Sequence, residues 1–96
     1  MNRYIANSKY MLRDIAGDYI LYKWENGGIS NQSVIVFNET GAFLWKHLSL
    51  PKTEAQLAEL LCNRFNIDIE KASSDVSLFI KKCIKESILI EQVTEE

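Results

Sequence analysis

The chain has 96 residues, 47% of them hydrophobic and 25% charged, with a formal net charge of -2 at pH 7. This length fits one domain with a single core, and the near-neutral charge gives no general attraction to nucleic acid or to a membrane surface. The N-terminus lacks the apolar core of a secretion signal, and no apolar run has the length of a membrane span, so we expect a cytoplasmic protein.

The first part of the chain predicts short strands after a weakly ordered lead-in over residues 1–10. Residues 11–15 and 19–24 are strand candidates, and the sequence Ala16-Gly17-Asp18 between them is typical of a turn. In residues 19–24 both alternating faces carry bulky side chains. The alternation therefore does not show which face is buried.

A third strand is predicted over residues 34–37, which are three β-branched residues and a phenylalanine. A polar loop that starts at Asn26 and reaches Gln32 leads into it. Together the three candidates predict a three-stranded antiparallel sheet, which is the minimum for a stable small sheet.

Three helices are predicted after the strands, and each begins at a residue suited to cap it. Asn38 caps the first helix, Thr53 and Gln56 form a capping box at the second, and Asp68 caps the third. Asn66 is suited to end the second helix because asparagine tolerates the left-handed conformation.

The third helix has one apolar face, predicted to be buried. Its members recur at steps of three and four residues and are Ala72, Val76, Phe79, Ile80, Cys83 and Ile84. Residues 88–90 form a final strand or an extended tail, and residues 92–96 are a C-terminal tail. Strands followed by helices predict an α+β fold that resembles a winged helix-turn-helix.

No pattern of catalytic or metal-binding residues stands out. Cys62 and Cys83 are isolated on apolar helix faces, and the one histidine, His47, has no zinc-site spacing to them. Buried, unreactive cysteines are the simplest interpretation. We therefore expect no enzyme, no cofactor and no metal.

Several segments resemble one family in the order in which that family carries them. They are residues 12–21, the strand-into-helix segment 37–45, residues 53–57, residues 75–76, residues 79–80 and the ending 88–90. By these motifs the chain resembles PqqD-like proteins over almost its whole length. The resemblance implies a single winged-helix domain over residues 11–91.

The resemblance also implies a function. PqqD-like domains hold the leader segment of a ribosomally made precursor peptide and present it to a modifying enzyme, often a radical SAM enzyme. In the family the leader adds as a strand beside the third strand and lies against the third helix. The implied partners are a precursor peptide and a modifying enzyme, without nucleic acid or membrane.

The residues themselves favour peptide binding at the same place. The third strand can be a sheet edge, and it carries no lysine, proline or bulge that would protect it from pairing with another chain. On the third helix, Leu78 points away from the buried face, and Lys71, Lys82 and Lys85 share its side. The predicted peptide-binding residues are Val34, Ile35, Val36, Phe37, Asp75, Leu78, Phe79 and Lys82.

Three alternatives stay open at the level of sequence. Residues 1–10 or 88–90 could cover the strand edge from within the chain. The lysines of the third helix could serve a winged-helix DNA-binding regulator, although the net charge is negative. The exposed edge could also pair with itself, which would make the protein a self-associating homodimer.

Overall fold

A computed structural model describes residues 2–93, and for residues 30–33 it describes the backbone only. The elements in chain order are β1 (Asn2–Ala6), β2 (Tyr10–Ile15), β3 (Asp18–Glu25), β4 (Gly28–Phe37), α1 (Glu39–His47), α2 (Glu54–Phe65), α3 (Ile69–Lys85) and β5 (Leu89–Val93).

The predicted α+β class and the three helices are confirmed, and the described chain has one strand, β1, that was not predicted, while residues 88–90, predicted as a final strand or an extended tail, contribute to strand β5. The predicted strands correspond to β2, β3 and β4, which form an antiparallel sheet in that order. β1 and β5 form a separate two-stranded sheet. The winged helix-turn-helix arrangement stays a prediction.

The lead-in that was expected to be weakly ordered contains strand β1. It pairs antiparallel with β5, in a register that sets Tyr4 opposite Glu91 and Ala6 opposite Leu89. The local sequence did not predict this strand because its partner lies at the other end of the chain. β5 ends at Val93, inside the predicted C-terminal tail, and residues 94–96 of that tail lie outside the described residues.

The predicted polar loop from Asn26 to Gln32 is instead a tight hairpin. Asn26 and Gly27 both have positive φ, at 52° and 78°, as the favoured two-residue hairpin turn requires. β4 therefore begins at Gly28, and its pairing with β3 shifts register between Tyr22 and Lys23. The Asn-Gly pair was the sequence signal for this turn.

All three predicted helix starts are confirmed. The side chain of Asn38 accepts a hydrogen bond from the Gly41 amide at 2.8 Å, and that of Asp68 accepts from the Lys71 amide at 2.9 Å. Both bonds of the capping box at Thr53 are present, and Asn66 ends α2 with a φ of 53°. Within residues 2–93, no helix has the length and apolar character needed to cross a membrane.

The core lies between the helices and one face of the sheet. Leu21 in the middle strand is fully buried, as are Leu44, Leu48 and Leu57 of the helical half. The structure thus settles which face of β3 is inside. The predicted buried face of α3 is correct except at Ile84, which is exposed near the end of the helix, and at Phe79, which is half-buried.

The cysteines differ in burial. Cys83 is fully buried in the core, and this burial raises the pKa of its thiol to about 12. Cys62, on α2, is half-buried. Because the thiolate is the reactive form of cysteine, the two thiols should differ in reactivity.

Replacement of Asn38 by alanine should destabilise the protein. The Gly41 amide loses its acceptor, and loss of such a cap costs about 1 kcal/mol of the free energy of unfolding. Urea unfolding followed by circular dichroism measures this loss. The control is Asn63→Ala, which removes an exposed amide that makes no hydrogen bond within the described residues. Equal midpoints for the two variants would contradict the capping role.

Alkylation should modify Cys62 well before Cys83. At pH 8.5 almost none of the Cys83 thiol is ionised, and the surrounding core excludes the reagent. Iodoacetamide labelling with peptide mass spectrometry measures both rates. In urea, which exposes both thiols, the rates should converge. Equal rates in the native protein would show that the core around Cys83 opens readily.

Candidate functional site

The most distinctive feature near the predicted site is the edge of β4. Within residues 2–93, β4 pairs with β3 along one side and with no strand along the other. The two segments that could have covered it, residues 1–10 and 88–90, contribute β1 and β5, which pair with each other. Within the described chain, one edge of β4 therefore has no paired strand, and α3 lies beside that edge.

A groove of about 590 Å³ lies along this edge, between β4 and α3. The end of β4 and the first turns of α1 form one side, and one face of α3 forms the other. The lining residues are Val36, Phe37, Asn38, Thr40, Gly41, Leu44, Lys71, Asp75, Leu78, Phe79 and Lys82.

Aromatic side chains form the base of the groove. The ring of Phe37 is buried, with its centroid 5.7 Å from that of Phe79 and 6.2 Å from that of Trp45. Gly41 packs closely against this ring, since a Cβ placed there would lie 3.1 Å from Phe37 Cδ1. The absence of a side chain at Gly41 lets α1 approach β4 this closely.

The wall formed by α3 carries charge at regular spacing. Lys71 and Asp75, one turn apart, form an exposed ion pair with a 3.3 Å distance between Nζ and Oδ2. Lys82 makes no ion pair with another described residue. An exposed ion pair such as that between Lys71 and Asp75 is weak and easily exchanged. The wall thus offers two cations and one carboxylate to any occupant, with Lys82 unneutralised.

The structure brings six of the eight predicted site residues to this groove. They are Val36, Phe37, Asp75, Leu78, Phe79 and Lys82. The two others belong to β4 but do not line it. Val34 points away from the helices, whereas Ile35 packs against the core.

The prediction missed part of the lining. Lys71, which was predicted on the same side of α3 as Leu78 but not among the site residues, lines the groove one turn before Asp75. Gly41 and Leu44 line the groove from α1, and Leu44 is otherwise a core residue. No local signal marks their role because it depends on how closely α1 approaches β4.

The described residues do not bring together a set of side chains that could bind a metal ion. Within residues 2–93, no group of three or more histidine, cysteine or acidic side chains is placed to hold an ion. His47 is half-buried on α1, where its ring lies 4.6 Å from the ring of Phe43 and away from the groove. The groove offers a backbone edge, apolar contacts and charge.

Comparison with known proteins identifies a family. A protein-family model described as Coenzyme PQQ synthesis protein D (PqqD) matches residues 25–89, about two thirds of the chain. The matched region starts before β4, includes all three helices and ends at the first residue of β5. Neither the curated proteins nor the solved structures that were searched contain a match.

Proposed function

The chain belongs to the PqqD family, and from this premise we propose that it binds the leader segment of a ribosomally made precursor peptide. The bound leader would be presented to a modifying enzyme, with a radical SAM enzyme as the proposed type. In this role the protein is a cytoplasmic binding partner and not itself the catalyst. The family name, a coenzyme synthesis protein, supports a biosynthetic setting.

One observation carries the proposal, namely the unpaired β4 edge beside the groove. An extended peptide can add to such an edge, because its amides and carbonyls complete the ladder that the edge strand leaves open. The added strand would run beside residues 34–37 and under α3. Pairing through the backbone explains how Val34 and Ile35 could contribute without lining the groove.

Backbone pairing alone does not give useful affinity. Each added hydrogen bond contributes about 0.5–1.5 kcal/mol net, and ordering the peptide offsets much of that gain. Micromolar binding corresponds to about 8 kcal/mol, so apolar anchors are needed as well. The groove offers them, because Val36 and Leu78 are 63% and 64% exposed and line it together with Phe37 and Phe79.

The charges of α3 suggest the polar character of the leader. Lys82 is exposed and unpaired among the described residues, while Lys71 is already engaged with Asp75. An acidic residue in the leader would therefore find its best partner at Lys82. We propose an occupant with apolar side chains at alternate positions and at least one carboxylate near the later turns of α3.

Leu78→Asp should weaken leader binding about tenfold or more, a loss of about 1.4 kcal/mol, because it puts a charge against an apolar anchor. Titration calorimetry with a synthetic leader from the nearest precursor gene measures the affinity. Leu50→Asp is the matched control, since Leu50 is 67% exposed and lies outside the groove. Equal affinities for both variants would argue against contact at Leu78.

Val36→Pro should also reduce affinity, because proline stiffens the edge and removes an amide from β4. The same calorimetric titration measures the effect, with far-UV circular dichroism to verify the fold. Val36→Thr, which keeps the β-branched shape and the amide, should bind far better than the proline variant. Full binding by a folded Val36→Pro protein would contradict pairing along β4.

Lys82→Glu should weaken binding and reduce its dependence on salt. An exposed ion pair is screened as ionic strength rises, so the wild-type affinity should fall between low and high salt. Fluorescence anisotropy at several salt concentrations gives both quantities. Lys81→Glu provides the control, because Lys81 is exposed on α3 but does not line the groove. An identical salt dependence in both variants would exclude a specific role for Lys82.

A further inference from the structure

The sheet β2-β3-β4 has a second large face, turned away from the helices, which we name the outer face. Its exposed apolar side chains are Met11, Ile15, Trp24, Ile29, Val34 and Val36, of which Val36, on the edge strand, also borders the groove. One cross-strand pair lies within this set, since Trp24 lies opposite Ile29 in the ladder between β3 and β4.

The outer face is unusually apolar for a sheet surface in water. The six side chains are each between 46% and 63% exposed. Ile20 and Tyr22 lie between them on the middle strand and are half-buried. An antiparallel sheet with one solvated face usually turns polar side chains outward, because water then solvates them. This sheet carries apolar side chains on both faces.

The described part of the chain has one sheet and one layer of helices, with the outer face uncovered. The described chain measures 39 × 36 × 19 Å, and the short dimension accommodates one sheet and one layer of helices. Leu21 and Ile35 point from the sheet into that helical layer. Within residues 2–93, no element packs over the opposite face.

We propose that a second copy of this chain covers the outer face, sheet against sheet. The six exposed side chains together offer roughly 500 Å² per chain, which is the size of apolar patch that usually marks an interaction site. Two such faces would bury roughly 1,000 Å² in total, enough for a specific but modest interface. Two sheets packed about 10 Å apart form a common sandwich arrangement.

The few charges on the outer face suit a symmetric pair. Arg13, on β2, lies opposite Ile20 of β3. Asp18, on β3, lies opposite Ile15 of β2. Neither forms an ion pair with another described residue. A two-fold axis uses the same surface twice, so Arg13 of each copy can approach Asp18 of the other. Charges of both signs on one face favour a copy of itself as the occupant.

This inference goes beyond leader binding and does not depend on it. Packing face to face uses side chains and leaves the backbone edge of β4 open. Self-association through the unpaired edge would instead consume the strand position proposed for the leader. The two modes of dimerisation therefore place different residues at the contact.

Sedimentation velocity over about 5 to about 500 µM tests the proposal, and we expect a dimer with a dissociation constant of about 10–100 µM, as for a weak, transient interface. Two single variants, Ile15→Lys and Trp24→Lys, lie on different strands and share only the outer face. Each should raise the dimer dissociation constant about tenfold or more. Leu50→Lys, at a residue that is 67% exposed and lies outside the outer face, should change it less than about twofold.

Other outcomes would overturn the proposal. A wild-type protein that stays monomeric over the whole range excludes the dimer. An effect of Ile15→Lys without an effect of Trp24→Lys would indicate pairing through the edge of β2, and no effect of either variant would indicate the edge of β4. Circular dichroism verifies that each variant is folded. Ile29→Lys, on β4, replaces Trp24→Lys if that variant does not fold.

Discussion

The antiparallel pairing of the two chain ends is the constraint on which this small fold depends. β1 joins β5, and the backbone of Tyr4 also exchanges two hydrogen bonds with Lys52 in the segment before α2. The Ala6 amide donates to the Leu48 carbonyl at the end of α1. These bonds attach the first strand to the helical half. They also engage the two terminal segments that could otherwise have paired with β4.

The features of the fold that could be predicted are those that depend on residues close together in the sequence. The caps at Asn38, Thr53 and Asp68 act within three residues of themselves, so the sequence displays cap and target together. Pairing between β1 and β5 joins opposite ends of the chain, and no local pattern contains it. Ile84 illustrates a similar limit, because helical spacing places it on the apolar face while the neighbouring elements leave it uncovered.

The groove was predictable to the extent that it follows helical periodicity. Asp75, Leu78 and Lys82 lie at steps of three and four residues, and the structure places them on one wall. The part of the groove formed by β4 was harder to predict. Alternate side chains of a strand point in opposite directions, and the edge of a strand consists of backbone atoms. Val34 and Ile35 belong to the strand that borders the groove, but their side chains face away from it.

The direct passage from β4 into α1 has a mechanical consequence. Phe37 ends the strand, Asn38 caps the helix and Glu39 begins it, so no flexible linker separates the two elements. One side of the groove is thus a single stiff unit without a hinge, and its shape is largely set before anything enters. The entropy lost on association would then fall mainly on the incoming segment, and stiffening that segment would strengthen the complex more than stiffening the protein.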